Sequence, residues 1–355
     1  MTDRGIVVVG AGIVGASLAY HLSGRGRPVT LIDAGLPASG ATHASFAWIG
    51  RPAVSDLPSA PLRYLALEEY RRLEKELGEL SIRWSGAITW DGFDATGPRI
   101  DDVRALEPHL LDPPAVAVHR SEDAAFDPVA TTELLVTAAR DRGARVLTGV
   151  LATALDHRPS TVSGAGTTAS DQNATTVSGV HTTAGFLPAE TVVLAAGTGT
   201  VALCAGIGVA LPVAPSPAIL VRLSAAPGLV RTIVATSSLE VRQLDDGTVL
   251  APEAYSGEKD QAALLATARR VRDRFAASFA GADDTKVLSA EIGWRPMPAD
   301  EEPIIGRPTG THGLYVAVMH SAITLAAAAG RLAASEILTG VPAPELAGCR
   351  PDRFH

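Results

Sequence analysis

Cysteine, lysine and aromatic residues are scarce in this chain of 355 residues, and each shortage excludes a class of protein. The two cysteines, Cys204 and Cys349, provide neither a disulfide framework nor the spacing of metal ligands, so we expect no metal site and a reducing compartment. With only three lysines, most positive charge is carried by arginine, the better partner for carboxylates. A formal charge of −8 and 5% aromatic residues argue against a nucleic-acid partner.

Membrane-directing features are also absent from the sequence as we interpret it. The first apolar strand begins at Ile6, which leaves no room for a signal peptide, and no apolar stretch predicts a membrane span. We therefore expect a cytoplasmic protein without a membrane partner. With 46% hydrophobic and 19% charged residues, a chain of this length can bury the cores of two domains.

Residues 5–34 carry the most informative pattern, a strand, a glycine turn, a helix and a second strand in that order. Three glycines open the helix: the first makes the tight turn, the second lets a pyrophosphate approach the backbone, and the third allows the helix to pack closely on the strand. The second strand ends at Asp33, where a carboxylate can accept the hydroxyls of an adenosine ribose. The pattern predicts a dinucleotide cofactor rather than the plain glycine turn of an ordinary α/β protein. The glycines are Gly10, Gly12 and Gly15.

The rest of the chain alternates between helical and strand patterns, as expected for two interleaved domains. Residues 191–196 form an apolar run that predicts a buried strand, and alternating apolar residues between 212 and 253 predict an antiparallel sheet. The Ser/Thr/Gly-rich stretch 157–176 predicts a hairpin tip or a surface excursion. The predicted helices span residues 13–23, 62–80, 129–142, 261–279 and 323–338.

Four separated segments together resemble the FAD-dependent family of D-amino-acid oxidase, glycine oxidase and sarcosine oxidase. They are VVVGAGIVGASLAYHL with IDAG near the N-terminus, GATHASFAW at 40–48, TVVLAAG at 191–197, and GWRPMPADEEPIIG at 293–306 followed by GLYVAVMHSAITLAAAAGRLAASEI. The resemblance implies an α/β fold, in which a Rossmann-like FAD-binding domain of the glutathione-reductase type carries an inserted antiparallel-sheet substrate domain. The implied FAD-binding domain is formed by residues 1–50, 127–205 and 293–345, and the substrate domain by residues 51–126 and 206–292.

The predicted cofactor contacts combine the glycine turn with the segments that match the family. Residues 40–46 are mostly small or hydroxylic, and their amides and hydroxyls can hold a pyrophosphate and a ribityl chain. The helix after residue 321 would present its positive end to the flavin pyrimidine. The predicted contacts are Gly10, Gly12, Ile13, Val14, Gly15, Asp33, Ala34, Gly40, Ala41, Thr42, His43, Ala44, Ser45, Phe46, Ala152, Ala196, Gly197, Arg295, Ser321, Ala322, Ile323 and Thr324.

Four residues are candidates for the substrate side of the site. The resemblance matches Arg295 to the glycine oxidase arginine that holds the substrate carboxylate, a task suited to a planar guanidinium that makes two charge-assisted hydrogen bonds. Arg242 is a second candidate for the carboxylate, and an internal ion pair is the structural alternative for Arg295. The resemblance places Trp48 at the flavin and lets His320 contact flavin or substrate, although both residues are open to a purely structural role.

The mode of FAD attachment also follows from the resemblance. Sarcosine oxidases attach flavin through a cysteine near the position of Gly293, and some dimethylglycine dehydrogenases use a histidine that aligns with Ala44, next to His43. Glycine and alanine stand at these two positions here. We therefore expect FAD to be bound without a covalent link.

The reaction implied by the resemblance is glycine-oxidase-like oxidation of an amine. Hydride passes from the α-carbon to flavin N5, and the imine hydrolyses to an aldehyde or keto acid and a released amine. The protein then supplies position and electric field, so no catalytic triad is required. The expected substrate is glycine or an N-substituted glycine that carries a carboxylate, and O2 is the expected electron acceptor.

Departures from the family pattern bear on the substrate. Met319 and Ala322 stand where relatives carry glycines, and Ala327 where they carry a proline, so we expect less room beside the substrate carbon. Glu240 lies near the place of a glycine oxidase tyrosine, and Val249 lies near the place of a sarcosine oxidase lysine. The open alternatives are a D-amino-acid oxidase or dehydrogenase, an NAD-dependent dehydrogenase, and a non-catalytic or RNA-directed flavoprotein.

Overall fold

The computed structural model describes residues 4–50, 56–78, 80–92, 97–159 and 174–354. All five predicted helices are confirmed with small shifts at their ends. The second helix ends where Gly78 adopts a left-handed conformation, with φ of 69°. The third begins directly after Asp127, whose carboxylate accepts the amides of Val129 and Ala130. The helices are α1 (Ile13–Leu22), α2 (Ala60–Leu77), α3 (Val103–Leu106), α4 (Pro128–Asp141), α5 (Gly199–Ala205), α6 (Gln261–Ser278) and α7 (Ala322–Thr339).

The strands form a parallel-based sheet, a large antiparallel sheet and two smaller sheets. The strands are β1 (Ile6–Val9), β2 (Val29–Ile32), β3 (Trp48–Ile49), β4 (Ala87–Thr89), β5 (Arg99–Ile100), β6 (Ala117–Arg120), β7 (Ala124–Ala125), β8 (Arg145–Leu147), β9 (Ala152–Pro159), β10 (Thr175–Thr182), β11 (Gly185–Pro188), β12 (Thr191–Leu194), β13 (Val213–Ser224), β14 (Ile233–Ala235), β15 (Glu240–Gln243), β16 (Thr248–Ala254), β17 (Lys286–Pro298), β18 (Ile304–Gly306), β19 (Thr311–His312) and β20 (Leu314–Val318).

The first sheet has the order β18-β20-β12-β1-β2-β8, and β1 pairs in parallel with both of its neighbours. Because side chains alternate along a strand, Ile6 and Val8 pack with α1, α4 and α7 on one face. Val7 and Val9 pack on the other face, which β10 and α5 cover. Coverage of both faces explains the unbroken apolar run of β1 and confirms the predicted dinucleotide-binding architecture.

The second sheet has the order β17-β13-β16-β15-β14-β4-β6-β5 and is antiparallel apart from the β14–β4 pair. One face packs on α6, where Val221, Val241 and Val249 meet Val271 and Phe275. The opposite face is turned towards residues 43–46 of the first domain, because side chains on that face bond to the main chain there. This is the antiparallel sheet that the resemblance implies.

The predicted boundary at residue 293 falls inside β17, which pairs with β13 from Lys286 to Pro298. Residues 293–298 thus belong to the antiparallel sheet and not, as predicted, to the FAD-binding domain. The stretch 157–176 is a hairpin at its base, because β9 and β10 pair there, while residues 160–173 lie outside the described residues.

Helix α7 corrects the expectation that no apolar stretch is long enough to span a bilayer. Among the described residues it alone has the length and composition to cross a membrane, yet 72% of that stretch is buried inside the protein. It packs on α1, where the Ser17 hydroxyl donates to the Ala326 carbonyl at 2.8 Å and a Cβ at Gly330 would overlap Ser17. Its apolar composition is therefore explained by core packing.

Candidate functional site

A cavity of about 680 Å³ lies at the carboxyl ends of β1, β2 and β12, where open α/β sheets bind ligands. It runs from Asp33, past the glycine turn, to Met319 and Ala322 at the start of α7, with Trp294 of β17 as part of its wall. The predicted cofactor contacts that line it are Gly10, Gly12, Ile13, Val14, Asp33, Ala34, Gly40, Ala41, Thr42, Ala152, Ala196, Gly197 and Ala322.

The glycine turn fits a pyrophosphate for reasons that the structure makes explicit. Gly10 has φ of 101°, and a Cβ there would overlap the Ala195 carbonyl. A Cβ at Gly15 would overlap the carbonyl of Gly10, so this third glycine lets α1 pack onto the turn and lies behind the cavity wall. Gly12 lines the cavity, and a Cβ there would lie 3.2 Å from the Thr42 hydroxyl oxygen. The backbone cradle has the geometry that a dinucleotide requires.

Two backbone amides hold the Asp33 carboxylate in place. One carboxylate oxygen accepts the amide of Ala11 at 2.6 Å and the other accepts the amide of Gly35 at 2.7 Å. The side chain also lines the cavity, so its position fits the predicted contact with a ribose, which stays a prediction.

Several wall residues were not predicted from the sequence. Val150 and Leu151 follow β8 and precede Thr153 in β9, so they lie at the carboxyl edge that carries the glycine turn. The second group follows β12 at the same edge and consists of Thr198, Gly199, Ala202 and Leu203. The rule that ligands bind at this edge was the signal that could have found them. The predicted contacts outside the cavity wall are Gly15, His43, Ala44, Ser45, Phe46, Arg295, Ser321, Ile323 and Thr324.

The segment 43–46 is fastened to the antiparallel sheet by charged groups. The Arg222 guanidinium donates to the His43 carbonyl at 2.7 Å and pairs with Glu291 at 3.1 Å. The His43 imidazole lies 3.0 Å from the second oxygen of Glu291, and a Cβ at Gly293 would lie 2.9 Å from that of Ala44. The segment therefore crosses the sheet at β17 and β13, and the His43 ring is engaged with Glu291.

We expect FAD to leave the protein on denaturation, since glycine stands at 293 and the His43 ring is paired with Glu291. Acid precipitation of the yellow protein should release all flavin into the supernatant. Colour retained in the pellet would contradict this prediction, and peptide mapping of that pellet would then test His43 as the attachment point.

Arg295 is partly buried on β17 and lacks an acidic partner in the described part of the chain. Its Nη2 donates to the Ser216 hydroxyl at 2.9 Å and its Nε to the Ser216 carbonyl at 3.3 Å. These bonds orient the guanidinium and leave its charge uncompensated. The structural alternative, an internal ion pair, is therefore not what the described residues show.

His320 lies in the turn between β20 and α7, close enough to Arg295 for the two charges to interact. Burial is the main cause that lowers the pKa of His320, and the positive charges of Arg295 and Arg63 lower it further. The imidazole is therefore neutral at neutral pH. Ser321, with φ of 59°, redirects the chain into α7, whose first turn adjoins the cavity at Ala322.

Trp48 and Arg242 make hydrogen bonds that join residues 46–48 to neighbouring elements. The Trp48 indole donates to Asp123 at 2.8 Å, and the Trp48 carbonyl accepts the Thr324 hydroxyl of α7 at 3.2 Å. Arg242 is 3% exposed and donates to the main-chain carbonyls of Phe46 and Phe126. Burial lowers the pKa of Arg242 to about 9. The Arg242 guanidinium is therefore bonded to the main chain at residues 46 and 126, and its role as a second candidate for the carboxylate stays a prediction.

Comparison with known proteins agrees with this geometry. The family described as FAD dependent oxidoreductase (DAO) matches residues 5–336. A glycine oxidase from Bacillus licheniformis is 25% identical over 356 residues, covering 94% of this chain and 92% of the relative. The fold is shared with L-amino acid deaminase from Proteus vulgaris (TM-score 0.83, 18% identity, 100% and 98% coverage) and iminodiacetate oxidase from Chelativorans sp. BNC1 (TM-score 0.79, 22% identity, 98% of both chains). The chain therefore belongs to the DAO family of FAD-dependent oxidoreductases.

Proposed function

We propose that this chain oxidises N-substituted glycines to glyoxylate and an amine, or glycine itself to glyoxylate and ammonia. The observation that carries the proposal is Arg295, a partly buried guanidinium oriented by Ser216 and without an acidic partner in the described residues. Such a group is suited to fixing a carboxylate through two charge-assisted hydrogen bonds. FAD, when bound, supplies the two-electron acceptor for the carbon–nitrogen bond.

The residues at the start of α7 favour a small α-carbon. Met319 is 1% exposed and, with Ala322, narrows the cavity where it meets the turn before α7. An unsubstituted methylene between nitrogen and carboxylate suits this space best. Because the pKa of His320 is lowered, its imidazole adds no positive charge to this region at neutral pH. Ala327 is buried in the core of α7 and takes no part in this wall.

The fold accommodates this substrate class, because a structural neighbour is named for iminodiacetate, itself an N-substituted glycine. We further propose O2 as the electron acceptor and the cytoplasm as the compartment, the latter because Cys204 and Cys349 are unpaired thiols. Oxygen consumption with the preferred amine would test the first, because a dehydrogenase would reduce an artificial dye without consuming oxygen.

Anaerobic flavin reduction tests the substrate class most directly, and sarcosine and D-alanine are a matched pair because they are isomers with the methyl group on nitrogen or on the α-carbon. We expect sarcosine to be faster. Each further methylene on nitrogen should raise the specificity constant about fourfold, the equivalent of about 0.8 kcal/mol of apolar burial.

Glycine and L-alanine complete the panel for this prediction. D-alanine faster than every N-alkylglycine would contradict it and favour a D-amino-acid oxidase. A yellow protein that no amine reduces would instead favour a non-catalytic flavoprotein.

A further inference from the structure

Residues 40–45 form two overlapping turns, and we refer to them together as the cofactor turn. The amide of His43 donates to the Gly40 carbonyl at 3.0 Å, and the amide of Ser45 donates to the Thr42 carbonyl at 3.2 Å. These bonds shape the segment locally. Its position in the protein depends on two further attachments, one at Thr42 and one at His43.

The first attachment joins the cofactor turn to the backbone cradle for a pyrophosphate. Thr42 lines the cavity, and its hydroxyl oxygen accepts the amide of Ile13 at 3.2 Å. A Cβ at Gly12 would lie 3.2 Å from the same oxygen. A displacement of Thr42 would therefore change the space that the cradle offers to a phosphate group.

The second attachment joins the cofactor turn to a pair of charged residues on the antiparallel sheet. Arg222 donates from Nη2 to the His43 carbonyl at 2.7 Å and from Nη1 to Glu291 at 3.1 Å. The other carboxylate oxygen of Glu291 lies 3.0 Å from the His43 imidazole. Arg222 and Glu291 thus form a clamp that holds both the backbone and the side chain of His43. Hydrogen bonds between charged groups are about twice as strong as neutral ones.

The register of the sheet brings the two clamp residues to the same face. Leu220 of β13 pairs with Glu291 of β17, and Arg222 lies two residues beyond Leu220 on its strand. The same face carries Gly293, where an added Cβ would lie 2.9 Å from that of Ala44. Neither clamp residue lines the cavity, so the clamp acts on the cavity through the cofactor turn.

The clamp supplies position rather than net charge. The guanidinium of Arg222 is compensated by the carboxylate of Glu291, which leaves little charge to attract a phosphate. Without the clamp, the cofactor turn would have to be ordered when the cofactor binds, at a cost in conformational entropy. With the clamp in place, that entropy is already lost when the protein folds.

We propose that Arg222 and Glu291 are positioning residues for FAD. By holding His43, they keep Thr42 against the glycine turn in the conformation that accepts the pyrophosphate. The inference concerns the cofactor of the family and is independent of which amine is oxidised.

Titration of the full-length apoprotein with FAD and with ADP tests this role without any turnover. ADP shares the adenosine and pyrophosphate of FAD and lacks the flavin, so residues that position the pyrophosphate cradle should affect both ligands equally. In Arg222→Met, which keeps an aliphatic stem, we expect both Kd values to rise about 10-fold. Arg222→Lys should recover part of the affinity, because an ammonium lacks the planar fork that bonds to two partners.

Glu291→Ala distinguishes positioning from a direct attraction between Arg222 and the phosphates. Loss of the carboxylate leaves the guanidinium with an uncompensated positive charge, so a direct attraction would tighten the binding of both anions. A loosened clamp has the opposite effect, and we expect both Kd values to rise about 3-fold. Because the two residues act as a unit, Arg222→Met should have a smaller effect in Glu291→Ala than in the wild type.

Arg274→Met provides the matched control. Arg274 is also a partly exposed arginine, and it pairs with Glu253 of the same sheet, but on the face that packs on α6. Both Kd values should equal those of the wild type. Calorimetry of each apoprotein should show that the Tm is retained.

Three results would overturn the inference: unchanged FAD and ADP binding in Arg222→Met, weaker binding of FAD alone, or tighter binding in Glu291→Ala. If Arg222→Met lowers the Tm of the apoprotein, Arg222→Lys and Glu291→Ala decide the question. Wild-type Kd values in both of these variants would equally overturn the inference.

Discussion

Replacing Arg295 by alanine is expected to lower kcat/KM for the preferred amine about 30- to 1,000-fold, the equivalent of about 2 to 4 kcal/mol of transition-state binding. The guanidinium has no acidic partner to release in the described residues, so its loss should act on the substrate carboxylate and not on the fold. Stopped-flow reduction under anaerobic conditions measures the effect directly.

Matched variants separate this role from a general loss of positive charge. Arg295→Lys should recover only part of the rate, since an ammonium lacks the planar fork. Arg269→Ala, an exposed arginine on α6, should behave as the wild type. FAD content should stay constant across all three. Near-normal turnover of Arg295→Ala with a carboxylated amine would contradict the assignment.

Alanine at the glycine turn should weaken cofactor binding in two distinguishable ways. In Gly10→Ala the new Cβ would overlap the Ala195 carbonyl at a positive φ, so we expect both weak FAD binding and a lower Tm. Gly12 has an extended backbone, φ −70° and ψ 178°, which any residue adopts. Gly12→Ala should therefore keep the Tm of the apoprotein while its methyl group fills the space of the pyrophosphate, weakening FAD about 10- to 100-fold or more.

Fluorescence titration of the apoprotein with FAD, alongside calorimetry, measures both quantities. Gly206→Ala provides the control, because its backbone is helical and a Cβ there would meet only ordinary contacts at 3.5 Å or more. Tight FAD binding by Gly12→Ala would show that the pyrophosphate does not lie against this turn.

Sequence patterns predicted the features that depend on residues close together in the chain. The glycine turn, Asp33 and the helix ends depend on residues close in sequence, and the structure places them as predicted. The assignment of residues 293–298 failed because their pairing with β13 joins segments about 80 residues apart, which no short pattern records.

The burial of charged residues could not be predicted from the sequence for the same reason. Arg242 has the sequence pattern of an ordinary strand residue, and only tertiary packing brings the carbonyls of Phe46 and Phe126 to its guanidinium. The pairing of His43 with Glu291 likewise joins residues that are far apart in the sequence.

The side chains of β17 alternate between two faces of the strand, and each face makes different contacts. Trp294 and Pro296 line the cofactor cavity, while Arg295 between them points to the opposite face and to Ser216. A shift of register by one residue would exchange these faces, turning the guanidinium towards the cavity and the indole towards Ser216. Deletion of one residue upstream within β17 would thus disturb both the cavity wall and the contacts of Arg295. The two sets of contacts cannot be altered independently by changes in the length of this strand.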